Sequence, residues 1–576
     1  MIMDYIQEYK RWLDNADAET VAELKAIEND ANEIKERFYK NLEFGTAGMR
    51  GIIGAGSNRM NSYVVGQATQ GLANQLIKTN PDADEISVAI AYDSRIKSDE
   101  FAKVSAAILA ANGIKVYLFE ELKPVPELSF TVRYKKTTAG IVITASHNPA
   151  KYNGYKVYGA DGAQLNPELA AIVLDEIGKT DMFKDVKTCD FDKAVADGKI
   201  VMIGDDVESA YLDCVAAQSI NSDLIREKGD SLTFVYTPFH GSGNKPVRKI
   251  LKRMGFDNVV VVKEQELPDG RFPTVKSPNP ENKEGFTIAI EYAKKCGADL
   301  IIGTDPDADR VGIIVKNKNG EYNTYTGNQV GAMLTEYILS SLKSRGELAD
   351  DAYVVKTIVT TNLTKAICDN YGVEMKEVLT GFKFIGEKIK ESEETGKGTY
   401  IFGFEESYGY LKGTYARDKD AVVATMLIAE MTLWCKENGS SLAEFMDGIY
   451  AKYGRYIEYV ESVVMEGIDG SEKIAAIMDK LRTDTPTSIG GKKVMAGRDY
   501  ETSVRTEIKS GTTEEILLPK SNVIYLELED GNNFIVRPSG TEPKIKLYCL
   551  LRGKDSAAAE DLLAKVKDDI KKIVAE

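Results

Sequence analysis

The chain has 576 residues, of which 43% are hydrophobic and 28% are charged, and this composition is typical of a globular protein with several domains rather than of a disordered or fibrous one. Its 73 basic and 89 acidic residues give a formal net charge of −16, which argues against broad binding to nucleic acid or to an anionic membrane. No stretch has the pattern of a signal peptide or a membrane span, and the six cysteines form no Cys-x-x-Cys pair, so we expect a reduced, cytoplasmic protein.

The first half of the chain alternates between helix and strand patterns. Apolar side chains at helical spacing over the first forty residues predict a helical lead-in. The next segment has strand patterns over 88–91, 116–119 and 140–143 and a helix pattern over 101–111. A second α/β segment follows, with predicted strands over 233–236, 259–262 and 300–303 and predicted helices over 245–254 and 286–296. Such alternation predicts α/β domains.

The second half contains a third α/β segment and a different final segment. The third has predicted helices over 330–342, 384–390 and 421–437 and predicted strands over 353–359 and 400–402. The last hundred residues have strand patterns over 523–528 and 545–551 and a closing helix over 557–574, which predicts a smaller α+β domain. Changes of pattern near residues 222, 325 and 455 predict four domains. These cover 1–222, 223–325, 326–455 and 456–576.

A candidate nucleophile lies in the segment Thr-Ala-Ser-His-Asn-Pro over 144–149. The segment follows an apolar strand and ends in proline, so we expect Ser146 on a tight, exposed loop at the carboxyl end of the strand. Serine, asparagine and proline are also ordinary turn formers, and by itself the segment fits a plain turn equally well.

A candidate metal site lies in the segment over 303–310, where Asp305, Asp307 and Asp309 alternate directly after an apolar strand. Carboxylates at this spacing in a loop can converge on one divalent cation. A calcium-binding loop would need glycine at its sixth position and glutamate at its twelfth, where this chain has Arg310 and Lys316. An aspartyl phosphatase nucleophile and a solvated acidic turn are the remaining alternatives.

Two further loops carry polar groups suited to a sugar phosphate. The segment Arg-Pro-Ser-Gly-Thr-Glu-Pro-Lys over 537–544 combines a guanidinium, hydroxyls and a glycine, which are groups that bind phosphate. The segment Gly-Phe-Glu-Glu-Ser-Tyr-Gly over 403–409 offers a carboxylate and a hydroxyl two residues apart, suited to paired sugar hydroxyls. Taken singly, the first also fits a hairpin turn and the second is a weak signal.

In combination the four loops, together with the early Gly-Thr-Ala-Gly-Met-Arg segment over 45–50, resemble the α-D-phosphohexomutase superfamily, and the match spans nearly the whole chain. The helical lead-in, the segment over 237–241 and the form of the loop over 403–409 look like its bacterial phosphoglucomutase branch, which is related to phosphomannomutases and phosphopentomutases. One position departs from the family pattern, because the glycine expected after the Lys419-Asp420 pair is Ala421 here.

The resemblance implies four domains around a central cleft, of which the first three share an α/β fold. It implies phosphorylation of Ser146, which with the three aspartates would hold one Mg²⁺ per chain. The other residues with implied catalytic roles are Arg50, His147 and Lys419, the last as the proton-transfer lysine. The residues with implied roles in binding substrate are Arg310, Thr380, Glu405, Ser407, Arg537, Ser539, Gly540 and Thr541.

The implied activity is interconversion of glucose 1-phosphate and glucose 6-phosphate through the phosphoserine and a glucose 1,6-bisphosphate intermediate. Phosphomannomutase, phosphopentomutase and a bisphosphate synthase of the same family are the alternatives. We expect a small sugar phosphate as partner, no nucleic acid or membrane, and a monomer or dimer. Rival classes are a phosphate-binding regulatory protein without turnover, a phosphatase and an ATP-using sugar kinase, although no Gly-x-x-x-x-Gly-Lys-Ser/Thr loop is present to hold ATP.

Overall fold

The computed structural model describes residues 4–45, 48–465, 467–539 and 544–575. The chain divides into two compact units. Unit 1 consists of the described residues of Met1–Tyr325 with Gly386–Gly396 and Tyr408–Trp434, and unit 2 of Thr326–Ile385, Lys397–Ser407 and the described residues of Cys435–Glu576. None of the helices in these described ranges has the length and apolar character needed to cross a membrane.

Helices and strands alternate through most of the chain. The helices up to residue 325 are α1 (Tyr5–Asn15), α2 (Ala18–Ala26), α3 (Ala31–Phe38), α4 (Ser62–Thr79), α5 (Ser98–Ala111), α6 (Val125–Lys135), α7 (Pro167–Lys179), α8 (Phe191–Ala196), α9 (Asp205–Ala216), α10 (Ser222–Lys228), α11 (Asn244–Met254), α12 (Lys263–Glu266) and α13 (Thr287–Cys296). The strands up to residue 325 are β1 (Phe44–Gly45), β2 (Gly48–Ile52), β3 (Ser87–Tyr92), β4 (Lys115–Phe119), β5 (Ala139–Ile143), β6 (Tyr152–Gly159), β7 (Ile200–Ile203), β8 (Phe234–Thr237), β9 (Val259–Val261), β10 (Leu300–Thr304), β11 (Val311–Lys316) and β12 (Tyr322–Tyr325).

The alternation continues to residue 453, after which strands predominate. The later helices are α14 (Gly327–Arg345), α15 (Leu363–Tyr371), α16 (Phe382–Thr395), α17 (Ala421–Glu437), α18 (Leu442–Tyr453), α19 (Gly467–Thr483) and α20 (Ser556–Ala575). The later strands are β13 (Ala352–Thr357), β14 (Glu374–Val378), β15 (Thr399–Glu405), β16 (Gly409–Leu411), β17 (Arg455–Val464), β18 (Ser488–Ile489), β19 (Lys492–Asp499), β20 (Val504–Glu507), β21 (Thr513–Glu515), β22 (Ile524–Leu528), β23 (Asn533–Pro538) and β24 (Lys544–Gly553).

The predicted helical lead-in is three short helices. Asp4, Asp17 and Asp30 each accept backbone N–H bonds at the start of α1, α2 and α3, respectively. An aspartate at this position satisfies backbone donors that a helix leaves unpaired, so each one begins a new helix. Buried aromatic side chains, including Trp12 and Phe38, pack the three helices together.

The first sheet brings two polar loops to one edge. Its strand order is β1-β2-β6-β5-β3-β4-β7, and β3 runs parallel to both β4 and β5. Tyr92 at the end of β3 lies opposite Ile143 at the end of β5. Since parallel strands end at the same edge, the residues that follow Tyr92 and those that follow Ile143 are neighbours.

The second sheet presents the acidic segment as the connection of a hairpin. Its order is β12-β11-β10-β8-β9, with β10 parallel to β8 and antiparallel to β11. Thr304 pairs with Val311, so residues 305–310 form the turn between the two strands. The apolar strand β10 is fully buried and holds this turn in place.

Unit 2 contains an α/β layer and an antiparallel sheet. In the α/β layer β13 lies between β14 and β15 and runs parallel to both. The final sheet has the order β17-β24-β23-β22-β19-β20-β21, with β18 beside β19, and its core packs against α19 and α20. The predicted α/β fold with a smaller α+β C-terminal domain is therefore confirmed.

The element bounds differ from the prediction mainly at their ends. Strand β13 ends at Thr357 rather than at residue 359, and α16 covers Phe382–Thr395 rather than 384–390. Strand β6, directly after the serine segment, has no counterpart among the predicted strands. The polar residues Asn153 and Lys156 interrupt the apolar pattern by which a buried strand is recognised. Both are buried, and their side chains make hydrogen bonds to Ser98 and Asp307, respectively.

We predict that Gly331→Ala destabilises unit 2. A methyl group on Gly331, in α14, would lie 2.1 Å from the ring of Phe404, the residue before Glu405. Overpacking of this kind costs about 1–3 kcal/mol. Gly448→Ala is the matched control, because Gly448 is also helical and has open space around it, and alanine should stabilise that helix by up to about 1 kcal/mol. In thermal melts, the melting temperature should fall for Gly331→Ala and rise for Gly448→Ala. An unchanged melting temperature for Gly331→Ala would contradict the packing argument.

Candidate active site

Ser146 occupies a strained position on the loop after β5. Its φ is +53°, in the left-handed region that non-glycine residues rarely adopt. Its backbone N–H donates to Oγ1 of Thr144 (2.8 Å), and its Oγ lies 3.1 Å from Asp305 Oδ2 and 3.1 Å from Nδ1 of His147. The predicted exposed loop is wrong for this side chain, because the acidic turn covers it and leaves Ser146 only 2% exposed.

The three aspartates of the acidic turn converge, as the sequence predicts. Asp305, Asp307 and Asp309 are all buried, and one carboxylate oxygen from each lies within 4.8 Å of the other two. The turn is closed by the backbone N–H of Asp305, which donates to the carbonyl of Arg310 (3.3 Å), and the N–H of Arg310 donates to Asp305 Oδ1 (3.0 Å). Alternate residues therefore direct three carboxylates to one point.

Burial and mutual repulsion disturb the pKa values of this cluster. Burial, together with the charges of Asp307 and Asp309, raises the pKa of Asp305 well above its usual range. Burial also acts to raise the pKa of Asp307, but the ammonium of Lys156, a hydrogen bond with Asp305 and the charge of Lys419 together outweigh it and lower that pKa to about 2. Lys156 Nζ lies 2.9 Å from Asp307 Oδ2. One carboxyl thus favours a proton while its neighbour stays ionised.

The carboxylates fit a hard divalent cation. Among the described residues, no group makes a hydrogen bond to Asp307 Oδ1 or Asp309 Oδ1, although both atoms are buried. Buried oxygens of ionised carboxylates are costly without a partner. Mg²⁺ prefers such oxygen ligands, so the cluster is a candidate metal site.

Lys419 reaches the acid cluster from the segment before α17. Its Nζ lies 3.2 Å from Asp309 Oδ2 and 3.0 Å from Asp418 Oδ1. Asp418 is itself fixed by the hydroxyl of Tyr158, which donates to Oδ2 (2.8 Å). A side chain at position 409 would collide with Lys419, since a Cβ there would lie 1.9 Å from its Cδ, and Gly409 leaves the space.

The remaining predicted residues of unit 1 surround the same loops. Arg50 on β2 donates to Oδ1 of Asn148 (3.1 Å), and Arg310 pairs with Glu281 (3.0 Å). Burial and the charges of Arg310 and Arg50 lower the pKa of His147 well below its usual range, which keeps the imidazole neutral. The second histidine, His240, has both ring nitrogens within 3.0 Å of structural partners and lies outside this group.

Unit 2 contains the other predicted residues. Glu405 is buried at the end of β15, and its Oε1 accepts the backbone N–H of Gly381 (2.8 Å). This bond joins the loop of Glu405 to the loop of Thr380. The hydroxyl of Thr380 is buried, and no hydrogen bond satisfies it among the described residues. Ser407 is half-buried.

The phosphate-binding segment is described only at its two ends. Arg537, on β23, lies opposite Lys546 of β24 and is half-buried. The N–H of Ser539 donates to the carbonyl of Lys544 (2.7 Å), which closes the segment. Gly540 and Thr541 lie outside the described residues.

Four further residues in these groups have no counterpart in the sequence prediction. Lys156 neutralises the acid cluster, Asp93 and Arg95 follow β3 and contact the serine loop, and Tyr548 on β24 lies near Arg537 and two carboxylates. Burial and the nearby carboxylates of Glu406 and Glu405 raise the pKa of Tyr548 to about 12, although Arg537 opposes them. Asp93 and Arg95 directly follow an apolar strand, and this pattern could have identified them from the sequence as candidate site residues.

Family models match most of the chain. They are described as phosphoglucomutase/phosphomannomutase alpha/beta/alpha domain I over residues 41–183, domain II over 209–320 and domain III over 326–453. The chain belongs to the phosphoglucomutase/phosphomannomutase family. This result confirms the resemblance to the α-D-phosphohexomutase superfamily.

Curated members of the family align over nearly the full chain. A phosphoglucomutase of Staphylococcus haemolyticus (strain JCSC1435) is 40% identical over 519 residues, which cover 90% of this chain and 91% of the relative. A phosphoglucomutase of Staphylococcus aureus (strain USA300) is 39% identical over 548 residues, covering 94% and 95%, respectively.

Solved structures share the fold at much lower identity. The open form of the exocytosis-sensitive phosphoprotein pp63/parafusin, a phosphoglucomutase from Paramecium, gives a TM-score of 0.69 at 16% identity and covers 93% of this chain and 96% of its own. A phosphoglucomutase/phosphomannomutase family protein from Burkholderia thailandensis gives a TM-score of 0.65 at 18% identity, covering 92% and 96%.

We predict that Mg²⁺ raises the melting temperature through the acid cluster. A cation should relieve the repulsion among the three carboxylates and so stabilise the folded state. Asp307→Asn should lose most of this rise. Asp299→Asn is the control, because Asp299 precedes β10 and its side chain is 75% exposed. Thermal melts over a Mg²⁺ titration would measure the effect. An equal rise in melting temperature for the parent protein and for Asp307→Asn would show that the cluster is not the metal site.

Proposed function

We propose that this protein is a phosphoglucomutase, an isomerase that interconverts glucose 1-phosphate and glucose 6-phosphate through a phosphorylated Ser146. The observation that carries this proposal is the placement of Ser146 Oγ at 3.1 Å from Asp305, within a buried cluster of three aspartates and two lysines. Family membership and relatives named phosphoglucomutase at 39–40% identity support the same activity.

The proposed cycle moves one phosphoryl group out and another back. In the first half, an oxygen of a sugar hydroxyl attacks the phosphorus on Ser146, the bond between Oγ and phosphorus breaks, and a glucose 1,6-bisphosphate forms. The hydroxyl proton passes to a base, and Ser146 Oγ takes up a proton. In the second half, Ser146 Oγ loses its proton and attacks the phosphorus of the other phosphate of the bisphosphate, and the bond between that phosphorus and the sugar oxygen breaks. The sugar oxygen takes up a proton, which releases the isomeric monophosphate and leaves Ser146 phosphorylated. The enzyme ends in its starting state.

Charge neutralisation is the main requirement of this chemistry. A phosphoserine carries nearly two negative charges at neutral pH, and three aspartates beside it would repel it. We propose that one Mg²⁺ per chain, held by phosphorylated Ser146 and by Asp305, Asp307 and Asp309, supplies the compensating charge. Lys156 pairs with Asp307 and adds positive charge at the same cluster.

We propose that Lys419 transfers the proton. Its Nζ lies in the acid cluster and is fixed by Asp418, whereas the neutral His147 is placed against Ser146 Oγ itself. His147 and Arg50 then hold the serine loop and its phosphate.

We propose that Glu405, Ser407 and Thr380 bind sugar hydroxyls. The unsatisfied hydroxyl of Thr380 and the bond from Gly381 to Glu405 support this role. The proposed phosphate-binding residues are Arg310, Arg537, Ser539, Gly540 and Thr541.

The division into four domains, over 1–222, 223–325, 326–455 and 456–576, belongs to the same proposal, as do a monomeric or dimeric state and a cytoplasmic location. The six cysteines are free, which agrees with a reducing compartment. A small sugar phosphate is the proposed partner, rather than nucleic acid or a membrane.

An assay without ATP tests the activity. We expect turnover of glucose 1-phosphate to exceed that of mannose 1-phosphate and of ribose 1-phosphate, and higher turnover of one of the latter would identify a phosphomannomutase or a phosphopentomutase instead. Mass spectrometry after incubation with glucose 1,6-bisphosphate should find phosphate on Ser146. Ser146→Ala should lose activity while Ser105→Ala, at a buried serine on α5, keeps it. Full activity of Ser146→Ala would defeat the proposal.

We predict that Lys419→Met lowers kcat by about 100-fold or more, the usual effect of losing a general acid or base. Phosphorylation of Ser146 by the bisphosphate should remain detectable by mass spectrometry. Lys412→Met is the control, since Lys412 lies nearby in the chain and pairs with Gln218. If the turnover of Lys419→Met lies within a few-fold of this control, another group transfers the proton.

A further inference from the structure

Arg95 is a buried arginine whose two terminal nitrogens bind the serine loop and the first residue of β6. It follows β3 and is only 3% exposed. Its Nη1 donates to the carbonyl oxygens of Pro149 (3.1 Å) and Tyr152 (3.0 Å), and its Nη2 donates to those of Ser146 and Asn148. One planar group thus binds four carbonyl oxygens within seven residues of chain.

The guanidinium also has an ion-pair partner and an aromatic ring on its other side. Arg95 Nε lies 3.3 Å from Asp93 Oδ2, and the Phe272 ring centroid lies 5.1 Å from Arg95 Cζ. Asp93 also accepts the hydroxyls of Ser98 (2.8 Å) and Thr144 (2.7 Å). Asp93 therefore fixes both Arg95 and the first residue of the serine loop.

The loop needs such a restraint. Ser146 has a φ of +53°, a strained value for serine that persists only where surrounding groups enforce it. The N–H of Ser146 is held by Thr144 Oγ1, and its carbonyl is held by Arg95. These two hydrogen bonds fix the peptide groups on either side of Ser146, so that its Oγ lies next to Asp305.

We infer that Arg95 is a positioning residue, which acts with Asp93 to hold Ser146 in its strained conformation for phosphoryl transfer. The inference rests on the proposed function. Its action is geometric, because Asp93 offsets the charge of Arg95 and the guanidinium bonds carbonyls rather than reacting groups. A lysine cannot replace it, since a single ammonium nitrogen cannot reproduce the planar fork of an arginine.

Arg95→Lys tests the inference against Arg59→Lys. Arg59 is 4% exposed in the same unit, but its guanidinium pairs with Glu36 (2.8 Å). We expect Arg95→Lys to lower kcat by about 100-fold, the effect of a misplaced reacting group, and to leave KM for glucose 1-phosphate within about threefold. Backbone hydrogen exchange over residues 144–152 should accelerate in Arg95→Lys and stay unchanged in Arg59→Lys.

Several outcomes separate this inference from its alternatives. Equal kcat and equal exchange in the two variants would overturn it, and so would a raised KM at unchanged kcat. If Arg95→Lys does not fold, Asp93→Asn replaces it, because this change removes the anchor of the guanidinium. That variant should show the same drop in kcat and the same faster exchange, and parental values of both would overturn the inference.

The hydrogen-exchange measurement also separates this inference from the proposed function. If the parent protein turns over none of the three sugar phosphates, the proposed function fails, and faster exchange in Arg95→Lys would still show that Arg95 holds the loop. If the parent protein is an active mutase and Arg95→Lys matches Arg59→Lys, only the positioning role fails.

Discussion

Three carboxylates buried side by side are the constraint on which the site of unit 1 depends. Asp305, Asp307 and Asp309 cannot all stay ionised in a site that excludes water unless positive charge or donors surround them. Lys156 and Lys419 supply two ammonium groups within about 3 Å, and Ser146 supplies a hydroxyl. The proposed nucleophile, Ser146, is thus one of the residues that stabilise the buried carboxylates, together with Lys156 and Lys419.

Sheet topology explains how these groups meet. Strands β3 and β5 are parallel neighbours, so Asp93 and Arg95 emerge beside Ser146. The acidic turn is anchored to the same region, because the carbonyl of Asp307 accepts the N–H of Val125 at the start of α6 (2.9 Å). Regular secondary structure therefore fixes the position of each loop, and the loops carry the chemistry.

In unit 2, buried polar residues are also held by hydrogen bonds, ion pairs and packing against regular secondary structure. Glu405 ends the buried strand β15 and is joined to Gly381, while the packing of Gly331 on Phe404 holds that strand against α14. A fully buried lysine, Lys356, pairs with Glu377 (2.8 Å) in the same sheet. Burial acts to raise the pKa of Glu377, but the charges of Lys356 and Arg498 outweigh it and lower that pKa to about 2. Polar groups here are held by paired partners rather than by exposure to water.

The sequence by itself determined the α/β fold class, the smaller C-terminal domain and the loops around Ser146 and the three aspartates. These features are local, since strand and helix periodicity, turn residues and alternate acids are visible along the chain. Only the tertiary structure placed Lys156 against Asp307, 151 residues apart, and Arg95 against the serine loop, 51 residues from Ser146. It also buried Ser146, which the sequence placed on an exposed loop. Burial and long-range charge pairing depend on which strands become neighbours, and strand periodicity alone does not specify that arrangement.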